Sequence, residues 1–274
     1  MPRIWIDPTL EMAYEDDDFT DPWKKSEVVV YQHCNTGSSR MYYAWVPTIA
    51  RHYRFIRVNR RGQGGSTVPP PGRHWTLKEW SDEMGTFLDR MGIEKVHVIG
   101  EATGSYVCLQ YAYDHPDRVH SLTMINVVPN EEDSKLAERP GMRDWGPLLE
   151  RGFEDWILGS NPERFDADVV DPELVRWHAE EKLRQPHGVS VEVMQGMGAH
   201  ILQDVPQMFV NLKVPSLVIT GESGVIHNPE TARRVQEMVP DCKVAVVDGV
   251  FGYVAHAAPE RCAEAWLEFA RGLG

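Results

Sequence analysis

Between Val96 and Ala112 the chain reads Val-His-Val-Ile-Gly-Glu-Ala-Thr-Gly-Ser-Tyr-Val-Cys-Leu-Gln-Tyr-Ala, and no other stretch limits the fold so narrowly. A short apolar run (Val96, Val98, Ile99) meets Gly100-Glu101-Ala102-Thr103-Gly104, and a helical pattern begins at once. Glycines stand two positions either side of Ala102. Backbone that turns this sharply leaves no room for side chains at its flanks, which is a job for glycine. The stretch predicts a strand, a tight turn with Ala102 at its apex, and a helix.

The rest of the chain repeats that alternation. Residues 3–14 read as one or two edge strands, and Glu27–Gln32 as a buried one. A helix starts near Ser38 or Ser39, with Met41, Tyr42, Trp45, Val46 and Ile49 at helical spacing. Tyr53–Asn59 is a strand. Thr76 caps a helix whose apolar stripe is Leu77, Trp80, Met84, Leu88 and Met91. Val119–Ile125, Val214–Gly221 and Lys243–Val247 read as strands, and Pro229–Met238 and Pro259–Arg271 as helices. From about Glu131 to Pro206 strand patterns stop and helical ones take over. Strands alternating with helices imply an α/β fold, a mostly parallel sheet covered on both faces. The expected organisation is a core of residues 1–130 and 206–274, with residues 131–205 as a helical cap.

Charge and cysteine usage narrow the function. Against 28 basic residues stand 41 acidic ones, a net charge of −13. That argues against nucleic acid as a partner, since phosphate contacts need clustered Lys and Arg. No apolar run reaches about 18 residues and no signal-peptide core opens the chain, so neither membrane span nor export is expected, and the cytoplasm is. Cys34, Cys108, Cys242 and Cys262 lack metal-ligand spacing; free thiols and no metal or cofactor are the expectation. The acidic run Glu15-Asp16-Asp17-Asp18 is read as a solvated loop.

Five segments in the same order resemble the α/β-hydrolase superfamily, nearest its epoxide hydrolase, haloperoxidase-like and carbon–carbon bond hydrolase branch. His33-Cys34-Asn35 resembles the oxyanion loop, and Asn59–Ser66 the D-x-R-G-x-G-x-S turn. Gly100–Gly104 resembles the nucleophile elbow G-x-S-x-G. Ser216–Glu222 resembles the strand that delivers the acid, and Tyr253–Glu260 the segment after the catalytic histidine. The resemblance implies an attacking Ser or Asp, an orienting acid and a proton-moving histidine. It places them at Ala102, Gly224 and Gly252, none of which carries the functional group. The other family position for the acid, Asn126, is not an acid either. An alanine introduced to trap a substrate accounts for Ala102 alone, whereas natural loss accounts for all three.

What the resemblance leaves intact is an oxyanion hole of backbone N–H groups from Thr103 and Asn35. Each remaining candidate has a structural and a chemical reading. Cys34 is a packed thiol or a nucleophile, with His33 bracing the loop beside it. Glu101 is structural or a general base. His256 and His227 are packing residues or spare bases, with Tyr253 nearby. Trp145, Trp156 and Trp177 are core residues or pocket walls, and Arg60 and Arg61 brace a turn or hold an anion. The expected function is an enzyme of a small apolar or aromatic molecule, working through the oxyanion hole without a Ser-His-Asp triad. Its step would be lyase-, cyclase- or isomerase-like if the loss is natural, and ester, lactone or carbon–carbon hydrolysis if position 102 was altered. The alternative is a non-catalytic module that binds a ligand or partner.

Overall fold

The structure is a computed structural model and describes residues 1–73, 76–130, 152–160, 164–165, 170–197, 204–224 and 227–273. Eight strands form one sheet: β1 (Arg3–Asp7), β2 (Leu10–Asp17), β3 (Val28–Gln32), β4 (Arg54–Val58), β5 (Val96–Glu101), β6 (Val119–Ile125), β7 (Ser216–Gly221) and β8 (Cys242–Val247). Their order is β1-β2-β4-β3-β5-β6-β7-β8. The β1–β2 and β2–β4 pairs are antiparallel and all others parallel. The mostly parallel α/β sheet expected from the sequence is therefore present, with an antiparallel pair closing one edge.

Two apolar layers cover the sheet because successive strand residues point to opposite faces. Val30, Val96 and Val98 bury against α2 (Leu77–Arg90) and α3 (Thr103–Asp114). Val29, Tyr31 and Ile99 bury against Trp45 and Trp266 on the other face. The expected stripe of α2 is buried at Leu77, Trp80, Met84 and Leu88, with Met91 packed at its end. Thr76 caps that helix by accepting the Glu79 N–H at 3.1 Å. The segment from Ser39 to Trp45 is a 3₁₀ helix, continued by the short α1 (Val46–Ile49).

Between β6 and β7 the described residues form four helices and no strand: α4 (Phe153–Ser160), α5 (Pro172–Leu183), α6 (His187–Met197) and α7 (Val205–Val210). The remaining helices divide between the faces: α8 (Pro229–Met238) packs on the α2–α3 side through Ala232 and Val235, and α9 (Val254–Ala257) and α10 (Pro259–Arg271) pack on the Trp45 side. No helix among the described residues is long and apolar enough to cross a membrane.

One expectation needs correcting. Glu15, Asp16 and Asp17 are not a solvated loop but the end of β2, paired with β4. Arg57 reaches Glu15 at 2.8 Å and Asp17 at 2.6 Å, and Arg54 reaches Asp16 at 2.7 Å. Read as a charge run, the segment hides its strand; the partners that neutralise it lie about 40 residues away. Opposite charges on neighbouring strands favour that pairing.

Candidate functional site

The turn after β5 is as tight as its glycines suggest. A Cβ on Gly100 would lie 2.4 Å from the backbone of Gly104 and Ser105, and one on Gly104 would lie 2.1 Å from the Gln32 carbonyl oxygen. Helix α3 thus enters directly over β3 and β5. Ser105 Oγ accepts the Ile125 N–H at 3.0 Å and lies 2.6 Å from the Gly100 carbonyl, clamping the turn from below. At the apex Ala102 has φ +48° and ψ −115°, a conformation L side chains rarely adopt. Strain of this kind costs on the order of 1–3 kcal/mol and persists only where the surroundings impose it. Thr103 opens α3, so its N–H has no intrahelical acceptor.

Facing the apex is the loop after β3. His33 is fully buried; its Nδ1 meets the Cys34 carbonyl at 2.7 Å and its Nε2 accepts the Arg60 N–H at 3.2 Å. Burial, then the Arg60 charge, holds His33 well below the usual imidazole range, so it is a neutral brace. The Arg60 guanidinium donates to the His33 and Cys34 carbonyls and stacks 4.9 Å over Trp80. Arg61 pairs with Glu83 at 2.6 Å and Asp7 at 3.0 Å. Both arginines are engaged in holding loops. Asn35 Oδ1 accepts the Thr36 N–H at 2.9 Å, fixing the turn next to the apex.

The structure leaves no volume for side chains at two of the positions that the resemblance singles out. A Cβ on Gly224 would lie 2.2 Å from the His227 carbonyl oxygen, and one on Gly252 would lie 2.5 Å from the Arg164 carbonyl oxygen. His227 belongs to the turn that Asn228 closes by donating to the Gly224 carbonyl at 3.2 Å. Asn126, at the end of β6, is buried with φ +56°.

Glu101, immediately before the apex, points into the layer that holds Tyr42 and His256. His256 Nε2 is 2.9 Å from Glu101 Oε2, and Tyr42 Oη donates to the same oxygen at 2.6 Å. Tyr42 Oη also accepts the Cys34 N–H at 3.0 Å. Ligand-type atoms of Cys34, Glu101 and His256 lie within 4.8 Å of one another, as do those of Glu27, His97 and His120 at the far end of the sheet. In each group the carboxylate is already engaged with an imidazole. Helix α9 is fixed in place by Trp45, whose Nε1 donates to the Ala255 carbonyl at 3.0 Å. Burial disfavours the His256 cation, but Glu101 and Cys34 outweigh it and raise its pKa to about 10. Burial likewise opposes the Glu101 anion, yet His256, Tyr42 and Lys182 together hold its pKa below the usual value. Both shifts favour an imidazolium–carboxylate ion pair.

Helix α5 sits on top of this pair. His178 packs 4.6 Å from His256 and 4.8 Å from Tyr253, and burial followed by the Lys182 charge keeps it well below its usual pKa. Tyr253 Oη accepts from Lys182 Nζ at 2.5 Å and from Arg164 Nη1 at 2.9 Å. Trp177 packs edge-on against Tyr43 at 5.4 Å, and Arg164 lies 5.5 Å over Trp156. Trp145 lies outside the described residues. Of the sequence candidates the structure thus unites Cys34, Glu101, Tyr253 and His256, and leaves His33 in a bracing role and His227 in a turn. Sequence reasoning missed Tyr42, Arg164, His178 and Lys182. Only the i, i+4 spacing of His178 and Lys182 could have signalled a shared face.

A family profile described as the alpha/beta hydrolase fold matches residues 27–166. A fluoroacetate dehalogenase of Burkholderia sp. is 23% identical over 203 residues, a match that spans 66% of each chain. Among solved structures, a bromoperoxidase from Bacillus anthracis superposes with a TM-score of 0.83 at 19% identity, covering 98% of this chain and 99% of that one. The enol-lactonase from Burkholderia xenovorans LB400 gives 0.80 at 17% identity, with 98% and 100% covered.

Proposed function

Because the chain belongs to the α/β-hydrolase fold family, we propose that it is an enzyme of small organic molecules that works without a covalent intermediate at position 102. The substrate carbonyl or enolate oxygen is held by the backbone N–H groups of Thr103 and Asn35, and residues 131–205 cap the site. The imidazolium of His256, held by Glu101, gives a proton to the substrate and takes one back, so the step is lyase-, cyclase- or isomerase-like rather than acyl transfer to the protein. An oxyanion hole needs no nucleophile to polarise a carbonyl, and one donor is typically worth about 10²–10³ in rate. The observation that carries this reading is the closure of the backbone over two positions at once. The His227 and Arg164 carbonyl oxygens lie where side chains at 224 and 252 would begin. An alanine placed at 102 to trap a substrate would leave the other two positions open.

The relatives named above include enzymes of a haloacid and of a lactone, both with a carbonyl to polarise. A second reading, a module that binds a ligand without turnover, draws on the burial of Glu101 and His256, whose side chains are each 1% exposed.

The test is Ala102→Ser, assayed beside the unaltered chain on p-nitrophenyl acetate. Neither protein is expected to release nitrophenolate above the buffer rate. A gain of about 100-fold or more in the serine variant would mean that a working acid and base stand by, and would overturn the proposal.

A further inference from the structure

We propose that Arg164 and Lys182 form a carboxylate-binding subsite, so that the substrate is a small organic acid with an apolar or aromatic body. The inference rests on the reading of this site as one for a small molecule and adds the class of that molecule.

Lys182, on α5, is only 4% exposed, and its ammonium group contacts the phenol oxygen and the ring face of Tyr253. Arg164 reaches the same phenol oxygen from the other side and lies 5.5 Å from the rings of both Tyr253 and Trp156. Among the described residues neither cation has a carboxylate partner within ion-pair distance. Lys182 acts on Glu101, an anion that His256 already neutralises. The cluster of Lys182, Arg164, His256 and Glu101 therefore carries two positive charges in excess, inside a chain whose net charge is −13. Burying charge without a counter-ion is costly. A phenol oxygen accepts two hydrogen bonds but offers no compensating charge. The counter-ion that the described residues lack is the ligand's.

The position of Arg164 ties the subsite to the altered family site. Its carbonyl oxygen occupies the space of a Cβ on Gly252, so residue 164 sits where it does only because position 252 is glycine. A glycine at 252 and a guanidinium beside Tyr253 go together. A guanidinium fork and a neighbouring ammonium match the two oxygens of a carboxylate. The faces of Trp156, Tyr253 and Phe165 beside them suit an apolar body.

Titration calorimetry and thermal unfolding of the full chain test this with phenylacetate, its neutral isostere phenylacetamide, and sodium phosphate at matched ionic strength. Phenylacetate is expected to bind and raise Tm, and the amide and phosphate are not. Lys182→Met and Arg164→Gln should each weaken phenylacetate binding by about 10-fold or more, the worth of one charge-assisted hydrogen bond, and the double variant should abolish it. Should a neutralised variant fail to fold, Lys182→Arg keeps the charge and is expected to keep binding. Equal binding of the amide, equal binding of phosphate, or unchanged binding in the double variant overturns the proposal. None of these readouts needs turnover, so they stand apart from the esterase test at position 102.

Discussion

His256 Nε2 and Glu101 Oε2 meet at 2.9 Å with both side chains 1% exposed, and Glu101 is the residue that precedes the strained apex. An ion pair so placed couples the turn at Ala102 to α9. Tyr42 completes it by donating to Glu101 while accepting the Cys34 N–H, so one hydroxyl joins the loop after β3 to the pair. Tyr42→Phe leaves a buried N–H without its acceptor and a carboxylate one donor short. Loss of about 1–3 kcal/mol is expected in urea unfolding. His256→Ala strands the carboxylate and should cost more, about 3–5 kcal/mol. A loss under 0.5 kcal/mol in either variant would mean that water or a rearranged neighbour replaces the contact.

The same pair sets a pH dependence of stability. The folded pKa of His256 lies above its unfolded value, so its contribution is complete below the usual imidazole range. It fades as pH rises towards about 10. Glu101 is shifted the other way, so its contribution is present above the ordinary carboxylate range and is lost as pH falls through its lowered pKa. Both shifts report one interaction. Facing the pair are Tyr31, Tyr42, Cys34, Cys262, His178, Tyr253 and Lys182. Burial pushes Tyr31, Tyr42 and Cys262 up and His178 down, away from neutrality. Stability measured from pH 6 to 9 should fall more steeply in the unaltered chain than in Glu101→Gln. In that variant only Cys34 is left to oppose burial at His256, so the slope flattens. Parallel profiles would refute the ion pair.

How far the residues themselves announced this arrangement depends on the range of the interaction. The elbow was legible because its constraint is local: Gly100 and Gly104 must both lack side chains for α3 to cross β5 within four residues. The stripe of α2 and its cap at Thr76 were legible for the same reason. For Glu101 a structural and a basic role stayed open, since nothing local reveals that His256, 155 residues later, lies against it. Arg164 carried no signal at all, because its significance comes from a backbone contact with Gly252. The acidic end of β2 was misread because its neutralising arginines sit on another strand.

Placing at 252 and 224 the side chains that the resemblance implies should fail. An added Cβ would start 2.5 Å from the Arg164 carbonyl oxygen or 2.2 Å from that of His227, and both neighbours are backbone that cannot rotate aside. Gly252→His and Gly224→Asp are each expected to destabilise by about 1–3 kcal/mol, the range of overpacking, with no esterase activity even in combination with Ala102→Ser. Moving the backbone of residue 164 should also loosen its guanidinium from Tyr253, so phenylacetate binding should weaken in Gly252→His and not in Gly224→Asp. Equal binding in both would separate position 252 from the carboxylate subsite.

The apex offers the sharpest contest between folded-state and unfolded-state effects. Ala102 at φ +48° and ψ −115° holds a methyl group in a region glycine enters freely. Ala102→Gly relieves strain on the order of 1–3 kcal/mol. It also frees the unfolded chain, which costs about 0.4–1 kcal/mol. The two terms have opposite signs and the first is larger, so a net gain of about 1 kcal/mol is expected in the urea midpoint, with the slope unchanged. Ala102→Val, whose branched carbon crowds the same turn, should lose stability instead. A glycine variant less stable than the unaltered chain would mean that the apex is relaxed as it stands and that its dihedral angles carry no strain.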